Sequence, residues 1–351
     1  MNLARRALEG PALEPVELSE LLGAGIPLLP LLHEAWQVRQ ARFGNRVQVH
    51  VLNNAQNARC PEDCGYCSQS AISGAPLKPY SWKPRSVLLD EARAAHAAGA
   101  YRYCMVASGR GPNPRQIAEL CDTVREIKKE LPIGICVSLG LLGDEAAHAL
   151  KAAGVDRLNH NLNTSESHYP AICNSHTYAD RLATLRAARG AGLELCSGMI
   201  AGMGESDADI VEVALKLREL EVPSIPVNFL IPIDGNPVQS DGTLTPERAL
   251  RILCMFRLAN PHAELRCAGG REGHLRALEP LALYPANSLF VDGYLTTRGK
   301  AALDTYEMIR DAGFVVERPD GSLVPWSELG IDDAGFRVPG EAPLLKPEVV
   351  R

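Results

Sequence analysis

From about residue 46 to residue 313 the chain repeats one pattern: a short apolar run rich in β-branched residues, then a longer amphipathic stretch. The short runs, at 46–52, 101–107, 133–139, 157–162, 193–200, 225–231, 264–268 and 288–294, predict strands. Helical periodicity occupies 86–98, 114–130, 144–153, 178–191, 207–220, 246–259, 273–283 and 297–311. Gly99, Gly154 and Gly192 follow three of these helices, where a left-handed backbone ends a helix without a Cβ clash. Eight strands alternating with eight helices predict an α/β fold, a TIM-type (β/α)8 barrel. An open doubly wound sheet fits less well, because no strand leads into G-x-G-x-x-G; Gly198, Gly202 and Gly204 come nearest, in the wrong frame. Residues 1–45 read as an N-terminal helical extension over the barrel's bottom or one edge, 46–315 as the barrel, and 316–351, rich in Pro and Gly, as a tail.

Composition narrows the function classes. The 351 residues carry a net charge of −6 with both signs mixed along the chain, which argues against a nucleic-acid or anionic-membrane partner. No run approaches the roughly 20 apolar residues a membrane-spanning helix requires. The first residues lack the basic-then-apolar pattern of a secretory signal, and Glu9, Glu14, Glu17 and Glu20 appear early. The ten cysteines are therefore expected in the reducing cytoplasm, serving metals or catalysis instead of disulfides.

The cysteines are placed for that role. Cys60-Pro61-Glu62-Asp63-Cys64-Gly65-Tyr66-Cys67 puts three thiolates on the loop after the first predicted strand. Loops after strands lie at the face where barrel active sites sit. A structural zinc site takes four ligands, and a [4Fe–4S] cluster normally takes four cysteines. Three leave one metal position open for chemistry. The bland alternatives are a zinc loop short of a ligand, or a disulfide plus a free thiol.

Cys104, Cys136 and Cys196 fall in predicted strands two, three and five. A buried strand cysteine usually packs as a small hydrophobe, but inward side chains from several strands converge on a barrel's axis. A fourth donor would come from strand seven, where neighbouring Arg266 and Cys267 must face opposite ways. The sequence alone prefers Cys267, because a guanidinium holds its proton in almost every protein context. Cys121, Cys173 and Cys254 fall in helix or loop patterns and read as structural. Asn159, Asn161 and Asn163 alternate, which predicts three amides on one face of strand four. Inward amides are costly without hydrogen-bond partners, which favours a polar ligand.

Together these residues resemble the biotin synthase family of the radical S-adenosylmethionine (SAM) superfamily, across the whole barrel. The similarity rests on the Cys60–Cys67 loop with Ser68-Gln69, Tyr103-Cys104-Met105, Asn159-His160-Asn161-Leu162 and Leu195-Cys196-Ser197-Gly198. Pro226-Val227-Asn228, Arg266 with Gly270-Arg271-Glu272, and Ala286-Asn287-Ser288 complete it. The resemblance implies that Cys60, Cys64 and Cys67 hold a [4Fe–4S] cluster whose fourth iron binds SAM, cleaved to methionine and a 5′-deoxyadenosyl radical. It implies that Cys104, Cys136, Cys196 and Arg266, the last as a neutral or strongly polarised guanidine, hold a [2Fe–2S] cluster. That cluster would give up a bridging sulfide to dethiobiotin after hydrogen abstraction at its methyl and ring-methine carbons. By the same resemblance Tyr66, Asn161, Asn163, Arg181, Gly198 and Ile200 contact SAM, and Asn159, Asn161 and Asn228 contact the substrate. Asn163 stands where many members carry an aspartate, and the segment Ala107-Ser108-Gly109-Arg110-Gly111 also departs from members with bulkier residues there. Glu205 reads only as a cap for the helix that follows. A flavodoxin- or ferredoxin-type electron donor, iron–sulfur assembly machinery and a homodimer are implied as well.

Two other readings stand beside this one. Radical SAM enzymes of the methylornithine synthase or hydrogenase-maturase type share the cysteine loop but are not expected to keep Cys104, Cys136, Cys196 and Arg266 together. A non-enzymatic iron–sulfur carrier would have no use for Arg181, Tyr66 and the strand amides.

Overall fold

The computed structural model describes residues 2–57, 60–240, 242–294 and 299–331. Three helices, α1 (Leu3–Glu9), α2 (Pro15–Leu22) and α3 (Leu28–Phe43), precede the first strand. The strands are β1 (Arg46–Gln56), β2 (Arg102–Ala107), β3 (Gly134–Ser138), β4 (Arg157–Asn159), β5 (Glu194–Cys196), β6 (Met199–Ala201), β7 (Ser224–Phe229), β8 (Glu264–Cys267), β9 (Ser288–Val291) and β10 (Val315–Glu317). All their pairings are parallel, and the sheet closes where β9 pairs with β1. With β5 and β6 as two halves of one strand, this is the expected eight-stranded barrel.

The helices between strands follow the apolar periodicity: α4 (Arg85–Ala97), α5 (Pro114–Glu130), α6 (Asp144–Ala153), α7 (Tyr178–Gly190), α8 (Asp207–Glu219), α9 (Pro246–Ala259), α10 (Arg271–Leu275) and α11 (Ala302–Asp311). Side chains of Asn113, Thr177, Ser206 and Thr245 accept from the first-turn amides of α5, α7, α8 and α9, which fixes where each helix starts. Ser206 thus does the capping expected of Glu205, whose carboxylate instead accepts from the amides of Gly202 and Met203. The single helix expected at 273–283 is broken. Arg276 takes a φ of 52° and a 3-10 stretch, Arg276–Leu283, follows around Pro280, which has no amide to donate. Of the helix expected at 297–311, residues 297 and 298 lie outside the described residues and α11 begins at Ala302. No helix among the described residues is long and apolar enough to cross a membrane.

Alternation along the strands separates two layers. Tyr103, Met105, Ile135, Val137, Leu265, Cys267 and Leu289 join the core between sheet and helices. Cys104, Cys136, Ala268 and Phe290 form a separate cluster inside the barrel. At the opposite end α3 lies against α9. Its fully buried Arg39 donates to the carbonyls of Arg46 and Ala286, just ahead of the closing pair of strands. The segment expected as a tail begins with structure: β10 pairs with the start of β1, and Val324 and Ile331 are buried.

The break in the fifth strand has a local cause. A Cβ on Gly198 would sit 1.8 Å from the carbonyl oxygen of Pro226 in β7. The missing side chain is therefore what lets β6 close on β7. Gly198→Ala should cost about 1–3 kcal/mol of stability through forced backbone separation, read as a lower urea midpoint at unchanged m-value. A wild-type midpoint would show that the close approach constrains nothing.

Candidate functional site

At the C-terminal end of the strands the barrel opens into a cavity of about 410 Å³. Cys60, Cys64, Cys67, Cys104, Cys136, Cys196 and Arg266 all line it, as do Tyr66, Asn159, Asn161, Asn163, Arg181, Ile200 and Asn228. Gly198, expected there, is not part of the lining; it is spent on the β6–β7 contact.

The floor is set by register. Cys104 pairs with Cys136 across β2 and β3, Asn159 with Cys196 across β4 and β5, and Pro226 with Arg266 across β7 and β8. Cys136 is level with Arg157, two residues before Asn159, and Cys196 with Ser224, two residues before Pro226. These even offsets keep the three thiols and the guanidinium all facing inward, on staggered levels. Of the two strand-seven candidates Arg266 faces the cavity and Cys267 the outer core. Arg266 is held on most of its edges. Nε donates to Ser288 Oγ at 2.9 Å, and Nη2 meets Glu264, Ser224 Oγ and His50 Nε2. Nη1 is left facing Cys196 Sγ at 3.8 Å.

Glu264 anchors this charge. It is 5% exposed and accepts from Arg157, Arg266 and His50. Burial works against its ionisation, but Arg266, Arg157 and His50 outweigh burial and hold the carboxyl well below the usual range.

The upper wall is the cysteine loop. Its backbone is tied at Cys60 N–H to Gln69 O (2.6 Å), Gly65 N–H to Ile172 O (2.8 Å) and Val238 N–H to Gly65 O (3.0 Å). The two carboxylates inside the motif turn away from the thiols. Asp63 accepts from the amides of Asn174 and Ser175, both at 2.9 Å. Glu62 accepts from Arg110 (2.9 Å), Ser175 Oγ (2.7 Å) and His176 Nδ1 (2.6 Å). Sequence reasoning gave Arg110, Ser175 and His176 no role. The available signal was two adjacent acids within a thiolate loop, which must find cationic or N–H partners elsewhere.

Cys173, expected to be merely structural, lies against the loop with its Sγ 3.7 Å from Cys64 Sγ. Accepting from Cys64, with help from His176 and Ser175 and against the cost of burial, lowers its pKa, while Cys64 as the donor is pushed up. His160 was quoted in a motif without a role. It lines the cavity, and its buried Nε2 has no partner.

Arg181 reaches the cavity from α7 and is buried, not a solvated helix residue. It donates to Tyr169 Oη (2.5 Å), the Asn161 carbonyl (2.8 Å), His176 Nε2 (2.9 Å) and Tyr66 Oη (3.3 Å). None of these partners is a carboxylate, so a permanent cation sits buried with no acid among the described residues bonded to it. The three asparagines converge, but not by strand alternation, because β4 ends at Asn159. Asn159 Nδ2 donates to Asn161 Oδ1 at 3.1 Å. Asn163 reaches the cavity through a left-handed φ of 71° and donates to Tyr66 Oη at 2.5 Å. Asn228 clips the wall, donating to Met199 O (3.1 Å) and accepting from Gly269 N–H (3.0 Å).

The family model for the Radical SAM superfamily matches residues 57–217, the stretch that carries the loop cysteines and Arg181, and makes this a radical SAM enzyme. A second, for the Biotin and Thiamin Synthesis associated domain, matches residues 226–315. A biotin synthase from Acaryochloris marina is 56% identical over 319 residues, covering 90% of this chain and 92% of that protein. One from Magnetococcus marinus is 52% identical, covering 85% and 93%. The chain belongs to the biotin synthase family. Among solved structures a methylornithine synthase superposes with a TM-score of 0.77 at 18% identity, covering 91% of this chain and 98% of that one. The FeFe-hydrogenase maturase from Carboxydothermus hydrogenoformans gives 0.75 at 19%, covering 90% and 78%. These two establish the shared barrel only.

Glu264→Gln would leave Arg157 and Arg266 facing each other over a neutral amide. Breaking such a buried network should cost about 3–5 kcal/mol. Since the folded carboxyl is depressed, its contribution is full at neutral pH and fades only as pH falls below the ordinary carboxylate value of about 4.3. Urea unfolding of both proteins from neutral to acid pH should therefore show a gap that narrows at the acid end. A constant or absent gap would contradict the pairing.

Proposed function

We propose that this chain inserts sulfur into dethiobiotin to make biotin, using SAM as the radical source. The observation that carries the reading is Arg181: a buried guanidinium with only neutral partners is balanced by an anionic ligand, and the SAM methionine carboxylate is one.

Cys60, Cys64 and Cys67 would hold a [4Fe–4S] cluster. The donor set fits, with three thiols on one tethered loop and no fourth loop cysteine. Cys104, Cys136, Cys196 and Arg266 would hold a [2Fe–2S] cluster, which their common place in the cavity lining and the outward-facing Cys267 support. When bound, the first supplies the electron that cleaves SAM and the second supplies the inserted sulfur. Around them the chain's own groups orient and exclude. Arg181 would take the SAM carboxylate, with Tyr66, Asn161, Asn163 and Ile200 along the rest of the cofactor. Asn163 can still hydrogen-bond a hydroxyl, though without the charge of the aspartate it replaces.

Asn159, Asn161 and Asn228 would read the cyclic urea of dethiobiotin. Each amide has two N–H donors and two acceptor lone pairs, so the internal hydrogen bonds of Asn228 leave one of each for substrate. Glu264 and Ser288 would keep Nη1 of Arg266 aimed at the three thiols. A flavodoxin- or ferredoxin-type electron donor, iron–sulfur assembly machinery, a second copy of the chain and a cytoplasmic setting belong to the same reading, supported by family membership.

Cys136→Ala should keep the loop cluster, SAM binding and reductive formation of 5′-deoxyadenosine while making no biotin. Cys64→Ala should form no 5′-deoxyadenosine at all. Biotin at wild-type yield from Cys136→Ala would overturn the sulfur-donor assignment, and a carrier protein would release no 5′-deoxyadenosine even as wild type. Arg181→Met should weaken SAM binding by the worth of a charged hydrogen bond, about 1.5–3 kcal/mol or roughly 10–150-fold. Equilibrium binding on a variant with an unchanged melting temperature measures it, and wild-type affinity would remove Arg181 from the SAM site.

A further inference from the structure

The loop after β4 brings Cys173 and His176 against Cys64, and these three supply ligand atoms lying within 4.8 Å of one another. Cys64 Sγ and Cys173 Sγ are 3.7 Å apart, and Cys173 Sγ is 3.3 Å from His176 Nδ1 and 3.8 Å from Nε2. In a tetrahedral site with metal–sulfur bonds of about 2.3 Å and metal–nitrogen bonds of about 2.0 Å, the sulfur–sulfur edge is about 3.8 Å and the sulfur–nitrogen edge about 3.5 Å. The sulfur–sulfur separation of 3.7 Å and the 3.8 Å from Cys173 Sγ to Nε2 already stand close to those edges. The imidazole is also prepared. Nε2 accepts from Arg181, so the ring proton lies on Nδ1 and is donated to Glu62 at 2.6 Å. A carboxylate on the far nitrogen is the usual support of a metal-binding histidine, fixing its tautomer and raising its basicity.

We propose that in the chain not yet carrying its loop cluster, Cys64, Cys173 and His176 bind a single thiophilic divalent cation, Fe²⁺ or Zn²⁺. Two thiolates and an imidazole are a soft donor set suited to those ions. The cation replaces the Arg181 hydrogen bond on Nε2, and the two thiolates neutralise it. A fourth position falls to water or to Asp63 Oδ1, which lies 3.2 Å from Cys173 Sγ. The site goes beyond sulfur insertion. It shares Cys64 with the proposed cluster, so a bound cation and the cluster exclude each other.

Anaerobic titration of the cluster-free full-length chain with Co²⁺, followed by competition with Zn²⁺ or Fe²⁺, tests the site. One Co²⁺ per chain should bind, with thiolate charge-transfer bands and tetrahedral visible bands that either competitor removes. Cys60→Ser and Cys67→Ser should keep those bands, while Cys173→Ser and His176→Gln should each weaken binding more than about 10-fold. Undiminished binding by either of the latter, or loss of the bands in Cys60→Ser, would overturn the site. Should Cys173→Ser fail to fold by circular dichroism, His176→Gln decides alone. The titration involves neither SAM nor dethiobiotin, so its failure leaves the sulfur-insertion reading standing, and failure of Cys136→Ala to lose biotin formation leaves this site standing.

Discussion

Closure of the sheet between β1 and β9 is the constraint on which the rest of the molecule depends. Once the ring is shut, inward side chains have nowhere to go but the axis, whatever their chemistry. Apolar residues would fill such an axis with a packed core. Here the inward positions of β2, β3, β5 and β8 carry thiols and a guanidinium, and burying them demands compensation. Glu264 provides it below the thiols, where it binds two arginines and a histidine. Towards the mouth, Arg181 finds hydrogen-bond acceptors but no carboxylate partner among the described residues. One end of the cavity is thus electrostatically closed by the protein itself, and the other is where the proposed anionic ligand would complete it.

That difference orders the site along the barrel axis. The cysteine loop and Arg181 lie at the mouth, on loops and a helix that follow strands. The second set of thiols lies on the strands themselves and is more deeply buried. Asparagines from the end of β4 and from β7 occupy the space between. In the proposed assignment, a substrate seated among them would have the radical source on one side and the sulfur source on the other.

The barrel was legible because its signal is local: period-two runs and amphipathic stretches alternate with little interruption. The break at Pro280 was equally visible in principle, since a proline inside a helical pattern removes an amide. What escaped were facts set by distant partners. Which of the adjacent residues Arg266 and Cys267 faces inward is set by a register fixed across β7 and β9, and chemistry alone favoured the one that faces away from the cavity. Gly198 looked like room for a ligand, whereas its neighbour is the Pro226 carbonyl on another strand. Asn163 faces the cavity through a left-handed turn that no alternation rule foresees. Cys173 stands 109 residues from Cys64 in a loop without periodicity, so only the folded chain reveals the contact.

The most direct measurement is Mössbauer spectroscopy of the full chain loaded anaerobically with ⁵⁷Fe and sulfide, recorded before and after turnover with SAM, reductant and dethiobiotin. Two iron populations are expected, one with [4Fe–4S] parameters that survives turnover and one with [2Fe–2S] parameters that disappears as biotin forms. A single population, or a second one that outlasts biotin formation undiminished, would contradict a sulfur source held by Cys104, Cys136, Cys196 and Arg266.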